Sequence, residues 1–137
     1  MAEYPQLLHT VRDTTNAREL AEFYRQLLDL SYRPGDEPPA DGETDAGDWL
    51  VLVDADGVRK LAFQQVDELP RSTWPESEVP MQVHVDFTVT SATELHRQRE
   101  RAEALGAHVL LDRTHGADEP LFVFADPAGH PFCIFVR

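Results

Sequence analysis

Histidine and aspartate occur two or four positions apart in two stretches of strand-like composition: His84 precedes Asp86, and His9 precedes Asp13. Because strand side chains alternate between the two faces of a sheet, each pair shares one face. Imidazole and carboxylate groups in such an arrangement can orient a polar ligand or transfer a proton. We therefore expect His84, Asp86 and Asp13 to carry any catalysis, with His84 or Asp86 as the general base.

The same alternation collects further side chains on these faces. Lys60 and Gln64 share a face with Ala62, and Cys133 shares one with Phe135. An unpaired charge in an ordinary core costs about several kcal/mol, whereas a ligand cleft accommodates polar groups. The expected ligand-binding residues are His9, Lys60, Gln64, Trp74, Cys133 and Phe135.

Each of these side chains also has a structural explanation that needs no ligand. The register chosen for the first strand places Arg12 on the side of the helix, and a shift by one residue would move His9 there instead. Cys133 could be an inert buried side chain. Asp13 and Asp86 could simply bond nearby backbone groups. Both interpretations remain open on the sequence alone.

Composition excludes several classes of function. The chain has 137 residues, with 12 Lys and Arg against 25 Asp and Glu, which gives a net charge of −13. Nucleic acids and anionic membrane surfaces need a basic footprint, so we expect neither as a partner. The single cysteine excludes an intrachain disulfide and a multi-cysteine zinc site. Without an apolar run near the ~20 residues of a membrane helix, the protein is expected to be cytoplasmic.

Two segments have the periodicity of amphipathic helices. In the first, apolar residues recur at helical spacing from Ala17 to Leu28, after a capping Asn16. In the second, Ser91 begins a capping box and Gly106 occupies a position that commonly ends a helix. Apolar runs bounded by Gly, Pro or Asp predict strands elsewhere. These strands are Leu7–Thr14, Trp49–Val53, Lys60–Val66, Gln82–Val89, His108–Arg113, Leu121–Ala125 and Phe132–Val136.

The order of these elements repeats. With a weakly marked strand at Ser31–Arg33, each half has the order β-α-β-β-β. The acidic stretch 33–48 has no periodicity and predicts a mobile surface loop. The expected organisation is one domain over residues 1–137, with a first module at 6–66, a linker at 67–80 and a second module at 82–137.

Seven short motifs, taken in order, resemble one superfamily. They are Leu7-Leu8-His9-Thr10, Phe23-Tyr24, Leu27-Leu28-Asp29-Leu30, Thr73-Trp74-Pro75, Val83-His84-Val85-Asp86-Phe87, Asp126-Pro127-Ala128-Gly129 and His130-Pro131-Phe132-Cys133. Their order and spacing resemble the vicinal oxygen chelate superfamily, in its glyoxalase-like branch with a His-x-Asp-Phe strand and a His-Pro-Phe-Cys ending. The resemblance covers nearly the whole chain apart from the acidic loop.

The resemblance implies an architecture and partners. It implies an α+β fold in which two β-α-β-β-β modules form a cup-shaped mixed sheet with the helices outside, the glyoxalase/bleomycin-resistance fold. The cleft would hold a small ligand, and Trp74 in the linker would close over its mouth. Many members dimerise, so a homodimer is expected, with the cleft inside one chain or across the dimer.

Metal-binding members of the superfamily place one ligand on each of four strands. The resemblance puts these positions at His9, Ala62, His84 and Cys133, so both histidines are present and both carboxylates are absent. We expect no metal cofactor. A divalent transition ion such as Zn²⁺ remains chemically compatible with His9, His84 and Cys133.

Three functions are compatible with these observations. The first is a glyoxalase-like protein that binds a small organic molecule without metal, either as an enzyme of the proton-transfer, isomerase or lyase type or as a drug- or metabolite-binding protein. The alternative is a metalloenzyme of the vicinal oxygen chelate type, isomerase, lyase or dioxygenase-like, with a degenerate site of His9, His84 and Cys133. The third is a dimeric accessory protein with a vestigial cleft.

Overall fold

The computed structural model describes residues 4–116 and 118–137. It divides into two compact units, Met1–Leu69 and Pro70–Arg137. Their boundary lies inside the linker predicted at 67–80. The predicted domain also includes residues 1–3 and 117, which lie outside the described residues.

The first unit contains one helix and a four-stranded sheet. Its elements, in chain order, are β1 (Thr10–Thr14), α1 (Ala17–Leu28), β2 (Ser31–Tyr32), β3 (Trp49–Val53) and β4 (Arg59–Gln65). The strands lie in the order β1-β4-β3-β2, with β1 parallel to β4 and the other neighbours antiparallel. The element order is the β-α-β-β-β order that the sequence predicts.

Residues at both ends of α1 stop the helix from extending further. The side chain of Asn16 accepts a hydrogen bond from the backbone N–H of Glu19 at 3.1 Å, which satisfies a donor that the first turn leaves unpaired. At the other end Asp29 adopts a left-handed conformation with φ of 55°. The apolar face of α1 packs on the sheet, where the Tyr24 ring stacks on Phe63 of β4 at a centroid distance of 5.9 Å.

Alternation along β1 shows which face of the first sheet α1 covers. Arg12 is 8% exposed, and its guanidinium lies 5.0 Å from the centre of the Tyr24 ring of α1. Val11 and Asp13 are exposed and lie on the opposite face, which we call the open face of the first sheet. The register chosen for this strand is therefore the one in the structure. Arg12 reaches the helix side because its cation has an aromatic partner there.

The second unit repeats the arrangement. Its elements are β5 (Val85–Val89), α2 (Ala92–Leu105), β6 (His108–Arg113), β7 (Leu121–Ala125) and β8 (Pro131–Val136). The strands lie in the order β5-β8-β7-β6, with β5 parallel to β8 and the other neighbours antiparallel. The helix α2 is capped by Ser91 and ended by Gly106, whose φ of 116° favours glycine. The predicted α+β fold with two β-α-β-β-β modules is therefore confirmed. Within the described residues, no helix is both long enough and apolar enough to cross a membrane.

The predicted first strand begins too early. β1 begins at Thr10 rather than Leu7, and the Leu7 side chain is 89% exposed. An apolar composition suggested a strand over this segment, but no neighbouring strand pairs with it among the described residues. His9 therefore lies immediately before the strand.

The predicted fifth strand also begins too early. β5 begins at Val85 rather than Gln82. Gln82 has a left-handed backbone with φ of 54°, which extended strands do not contain. His84 therefore lies immediately before β5 and follows an irregular segment.

One side chain ties the acidic loop between β2 and β3 to α1. Arg18 Nε lies 2.7 Å from Asp45 Oδ2, and Arg18 Nη1 donates to the carbonyl of Asp36 at 2.7 Å. The guanidinium also lies 4.9 Å from the centre of the Tyr32 ring. The sequence pattern predicts a mobile loop, whereas the structure anchors it at these contacts. The pattern could not indicate this anchor, because Arg18 and Asp45 are 27 positions apart.

Candidate functional site

The two faces of the second sheet also differ. Phe122 of β7 lies on the side of α2, where its ring contacts His96 at a centroid distance of 5.6 Å. Ile134 pairs with Phe122 across β7 and β8 and shares this face. Cys133 and its partner on β5, Asp86, therefore lie on the opposite face, which we call the open face of the second sheet.

Three candidate site residues meet on this open face. The Nε2 atom of His84 lies 3.4 Å from Oδ1 of Asp86, and Cys133 lies opposite Asp86 in the pairing of β5 with β8. Ligand atoms of all three side chains lie within 4.8 Å of one another. Side chains of His84 and Asp86 are 40% and 51% exposed, so both groups are accessible to a ligand. We call this group the His84–Asp86–Cys133 cluster.

Burial and the neighbouring carboxylate keep the Cys133 thiol protonated. Burial raises the pKa of Cys133, and the neighbouring carboxylate of Asp86 raises it further, to about 11. The nucleophilic thiolate is therefore scarce at neutral pH, so Cys133 is a weak nucleophile.

An apolar surface adjoins the cluster. Phe135 lies opposite Thr88 of β5 and opposite Leu121 of β7 in the strand register. Phe135 is partly exposed. An aromatic ring beside convergent polar groups is the usual composition of a small-molecule site.

The cluster fits a divalent metal by donor type. His84 offers a nitrogen, Asp86 an oxygen and Cys133 a sulfur, a mixed set that zinc accepts. Ligand atoms around a tetrahedral zinc ion lie roughly 3.3–3.8 Å apart, given metal–ligand distances of ~2.0–2.3 Å. The ligand atoms of these three side chains already lie within 4.8 Å of one another, so small side-chain movements would bring them to these distances. The sequence assigned Asp86 a role as a base and did not indicate it as a ligand.

In the first unit, the predicted site residues lie apart along the sheet. Asp13 of β1 lies opposite Gln64 of β4 in the parallel register, and both are exposed. Lys60 lies near the other end of β4, where its amine is 3.6 Å from the carboxylate of Asp54. Asp13 and Gln64 therefore form a polar row, whereas Lys60 is engaged at the β3–β4 hairpin.

His9 lies in an unusual environment. Its Nδ1 atom is buried and has no hydrogen-bond partner among the described residues. The ring of His9 lies 6.2 Å from that of Trp49, with 52° between their planes. Burial lowers the pKa of His9, and the charges of Arg59 and Arg33 lower it further. Sequence reasoning did not indicate these neighbours, because none is close to His9 in the chain.

Trp74 lies in the segment between the two predicted modules. The peptide bond to Pro75 is cis, and the backbone N–H of Trp74 donates to the hydroxyl of Ser72 at 3.2 Å. Its side chain is partly exposed. The role of Trp74 in closing a cleft stays a prediction.

The fold and the match to a family model place the chain in the vicinal oxygen chelate, or glyoxalase/bleomycin-resistance, superfamily. Residues 9–135 match the glyoxalase-like domain, and the chain belongs to that family. The resemblance stated from the sequence motifs is therefore confirmed. Among curated proteins, none matches the chain in sequence.

Several solved structures have the same fold at low sequence identity. The genomically encoded fosfomycin resistance protein FosX from Listeria monocytogenes is 16% identical with a TM-score of 0.66, over 98% of this chain and 92% of that one. A glyoxalase/bleomycin resistance protein/dioxygenase family enzyme from Burkholderia phytofirmans PsJN is 14% identical with a TM-score of 0.66, over 94% and 96%. A possible glyoxalase from Bacillus cereus is 18% identical with a TM-score of 0.62, over 94% and 96%. These similarities establish the fold of the chain.

Proposed function

We propose that the protein binds a small organic molecule at the open face of the second sheet, without a metal ion. The observation that carries this proposal is the position of the Asp86 carboxylate, which lies 3.4 Å from the His84 imidazole and within 4.8 Å of the Cys133 sulfur. Accessible polar groups that converge beside an aromatic ring are typical of sites that orient a small ligand. Fosfomycin resistance proteins and glyoxalases of the same fold make a metabolite or a drug a reasonable class of ligand.

The same cluster supports proton transfer on a bound ligand. The half-exposed Asp86 carboxylate has lone pairs available to a ligand. The imidazole of His84 can donate or accept a proton at its ring nitrogens. In this proposal Asp86 or His84 is the general base, and a pure binding protein would use the same groups for orientation only.

A metal-dependent version is the second candidate, because the ligand atoms of His84, Asp86 and Cys133 lie within 4.8 Å of one another. A bound divalent ion would polarise a ligand oxygen or lower the pKa of water. Cys133 would have to lose its proton to coordinate the ion, which a metal promotes. This candidate replaces His9 with Asp86 in the ligand set expected from the sequence.

Ligand binding is tested by thermal shift with a defined panel. Fosfomycin, aromatic amines and small nitrogen heterocycles are screened against the full chain, with the variants His84→Ala and Asp86→Asn alongside. The proposal predicts a saturable stabilisation by at least one compound that both variants lose. Glu100→Gln on α2 removes an exposed carboxylate away from the cluster, and it should retain the stabilisation.

Elemental analysis distinguishes the two candidates. The tag-free chain is purified without chelator, beside the variant Asp86→Asn, and is then incubated with zinc. About one zinc ion per chain, lost in the variant, would establish the metal-dependent candidate. A ligand-induced thermal shift of the same size in a metal-free preparation would establish the metal-independent candidate.

A further inference from the structure

An unpartnered histidine nitrogen marks a second position on the chain, in the first unit. Within residues 4–116 and 118–137, no group bonds the buried Nδ1 of His9. Buried polar atoms in folded proteins nearly always have a partner, and an exception calls for an explanation. A ligand that supplies the missing hydrogen bond is one such explanation, and because Nδ1 is closed to solvent, the His9 ring must rotate when that ligand binds.

An accessible aromatic ring lies beside this nitrogen. Trp49, the first residue of β3, is 38% exposed, and its ring centroid is 6.2 Å from that of His9. By strand alternation Trp49 lies on the open face of the first sheet together with Val51. Val51 and its partner Ala62 are both 0% exposed. Val51 and Ala62 are therefore covered, and the Trp49 ring is the accessible apolar surface at this position.

A guanidinium completes the group. The parallel pairing of β1 with β4 brings His9 to the end of β4 at which Arg59 lies. Arg59 and Arg33 are close enough for both charges to lower the pKa of His9. Arg33 is balanced by Asp36, at 3.0 Å. In the described part of the chain, by contrast, the side chain of Arg59 makes neither a hydrogen bond nor an ion pair.

We propose that His9, Arg59 and Trp49 form a binding site for a small organic carboxylate with a planar or aromatic body. The Nδ1–H of His9 and the guanidinium of Arg59 donate to the carboxylate, and the Trp49 ring contacts the apolar body of the ligand. A chain with a net charge of −13 repels anions in general, so an anion binds only where unbalanced positive groups collect. The proposed function rests on His84, Asp86 and Cys133, and none of these three residues belongs to this second site.

The probe is benzoate, and the control is benzamide, which has the same ring but no negative charge. Each is titrated into the full-length labelled chain, and the Trp49 indole and His9 imidazole resonances are followed by NMR. Benzoate should shift both signals saturably, and benzamide should not. Arg59→Gln should weaken benzoate binding at least about tenfold, because hydrogen bonds between charged groups contribute on that order. Lys60→Gln removes the neighbouring charge, which Asp54 already engages, and should change the affinity by less than about twofold.

Three outcomes would overturn the proposal. They are equal binding of benzoate and benzamide, unchanged binding in Arg59→Gln, and benzoate shifts confined to resonances other than those of His9 and Trp49. If Arg59→Gln does not fold, Arg59→Lys keeps the charge but removes the planar fork. It should then weaken benzoate binding, because lysine does not replace a bidentate guanidinium. Benzoate binding should be unchanged in Asp86→Asn and His84→Ala. The carboxylate site and the proposed function can therefore fail independently of each other.

Discussion

At the scale of the residue, the decisive group is the carboxylate of Asp86. It lies beside an imidazole and a thiol and remains half-exposed. Alternation along one strand predicts that His84 and Asp86 share a face, and their side chains do lie 3.4 Å apart, although His84 precedes β5. The contact with Cys133 depends on the pairing of β5 with β8, strands that are far apart in the chain. A sequence pattern does not determine such a register.

The first prediction concerns the reactivity of Cys133. With a pKa raised to about 11, only roughly one thiol in a thousand is ionised at pH 8. The rate of alkylation by iodoacetamide should therefore keep rising with pH up to about 11, rather than level off near 8.5. Asp86→Asn removes the negative charge and should lower the pKa of Cys133, so its rate at pH 8 should rise several-fold. A pH profile that levels off near 8.5 in the wild-type chain would contradict the cluster geometry.

The second prediction concerns Arg12. Its buried guanidinium lies over the Tyr24 ring, and a cation–π contact of this kind contributes about 1–2 kcal/mol, in addition to packing of the aliphatic stem. Arg12→Ala should lower the free energy of unfolding in urea by roughly that amount or more. Arg97→Ala, at an exposed ion pair with Glu94, is the control and should leave the midpoint almost unchanged. Equal effects of the two substitutions would contradict the assigned face of β1.

At the scale of the element, local sequence signals predict the helices better than the strands. Asn16, Ser91 and Gly106 mark helix ends through bonds to their own neighbours, and all three positions are confirmed. Strand ends depend instead on a partner, and the apolar segments before Thr10 and Val85 are not strands. The loop anchored by Arg18 was missed for the same reason, since its partners are distant in sequence.

The third prediction tests the cap of α1. Asn16→Ala removes the acceptor for the Glu19 N–H and should cost about 1 kcal/mol of unfolding free energy. Asn16→Asp keeps an acceptor of the same size and should cost much less. Chemical denaturation of both variants measures the difference. Equal stability of Asn16→Ala and the wild-type chain would show that this cap does not contribute.

The fourth prediction tests the anchor of the acidic loop. Arg18→Ala removes the ion pair with Asp45 and the bond to the Asp36 carbonyl, so local opening of the loop should become more frequent. Cleavage by a glutamate-specific protease after Glu43 should then accelerate several-fold. Arg25→Ala, which removes a surface pair with Glu22, is the matched control. Similar rates in both variants would mean that Arg18 does not anchor the loop.

At the scale of the whole molecule, the sequence predicts the architecture well because the same signals occur twice. Caps, turn residues and apolar runs repeat in the order β-α-β-β-β, and each unit adopts that order. The repeated order alone does not determine function, because one fold hosts many activities. The resemblance already placed His84 and Cys133 in one site, whereas the contact of Asp86 with both and the neighbours of His9 became visible only with strand pairing.

The fifth prediction concerns assembly. Large apolar side chains lie exposed near the N-terminus, with Leu7 and Leu8 at 89% and 59% exposure, and β1 and β5 are edge strands of their sheets. Exposed apolar groups and unpaired strand edges favour association. We expect light scattering to give twice the chain mass of 15.5 kDa at micromolar concentration. Leu7→Glu should shift the population toward the single-chain mass, and an invariant single-chain mass in the wild-type protein would contradict the proposed homodimer.

The most direct test of the central claim is an NMR map of ligand contacts on the labelled, metal-free chain. The compound that stabilises the protein in the thermal-shift panel is titrated while backbone resonances are followed. The account predicts saturable shifts centred on His84, Asp86, Thr88 and Cys133, on the open face of the second sheet. Two results would contradict the account. The first is ligand-induced shifts at other residues while the resonances of these four stay unchanged, and the second is binding that requires added metal.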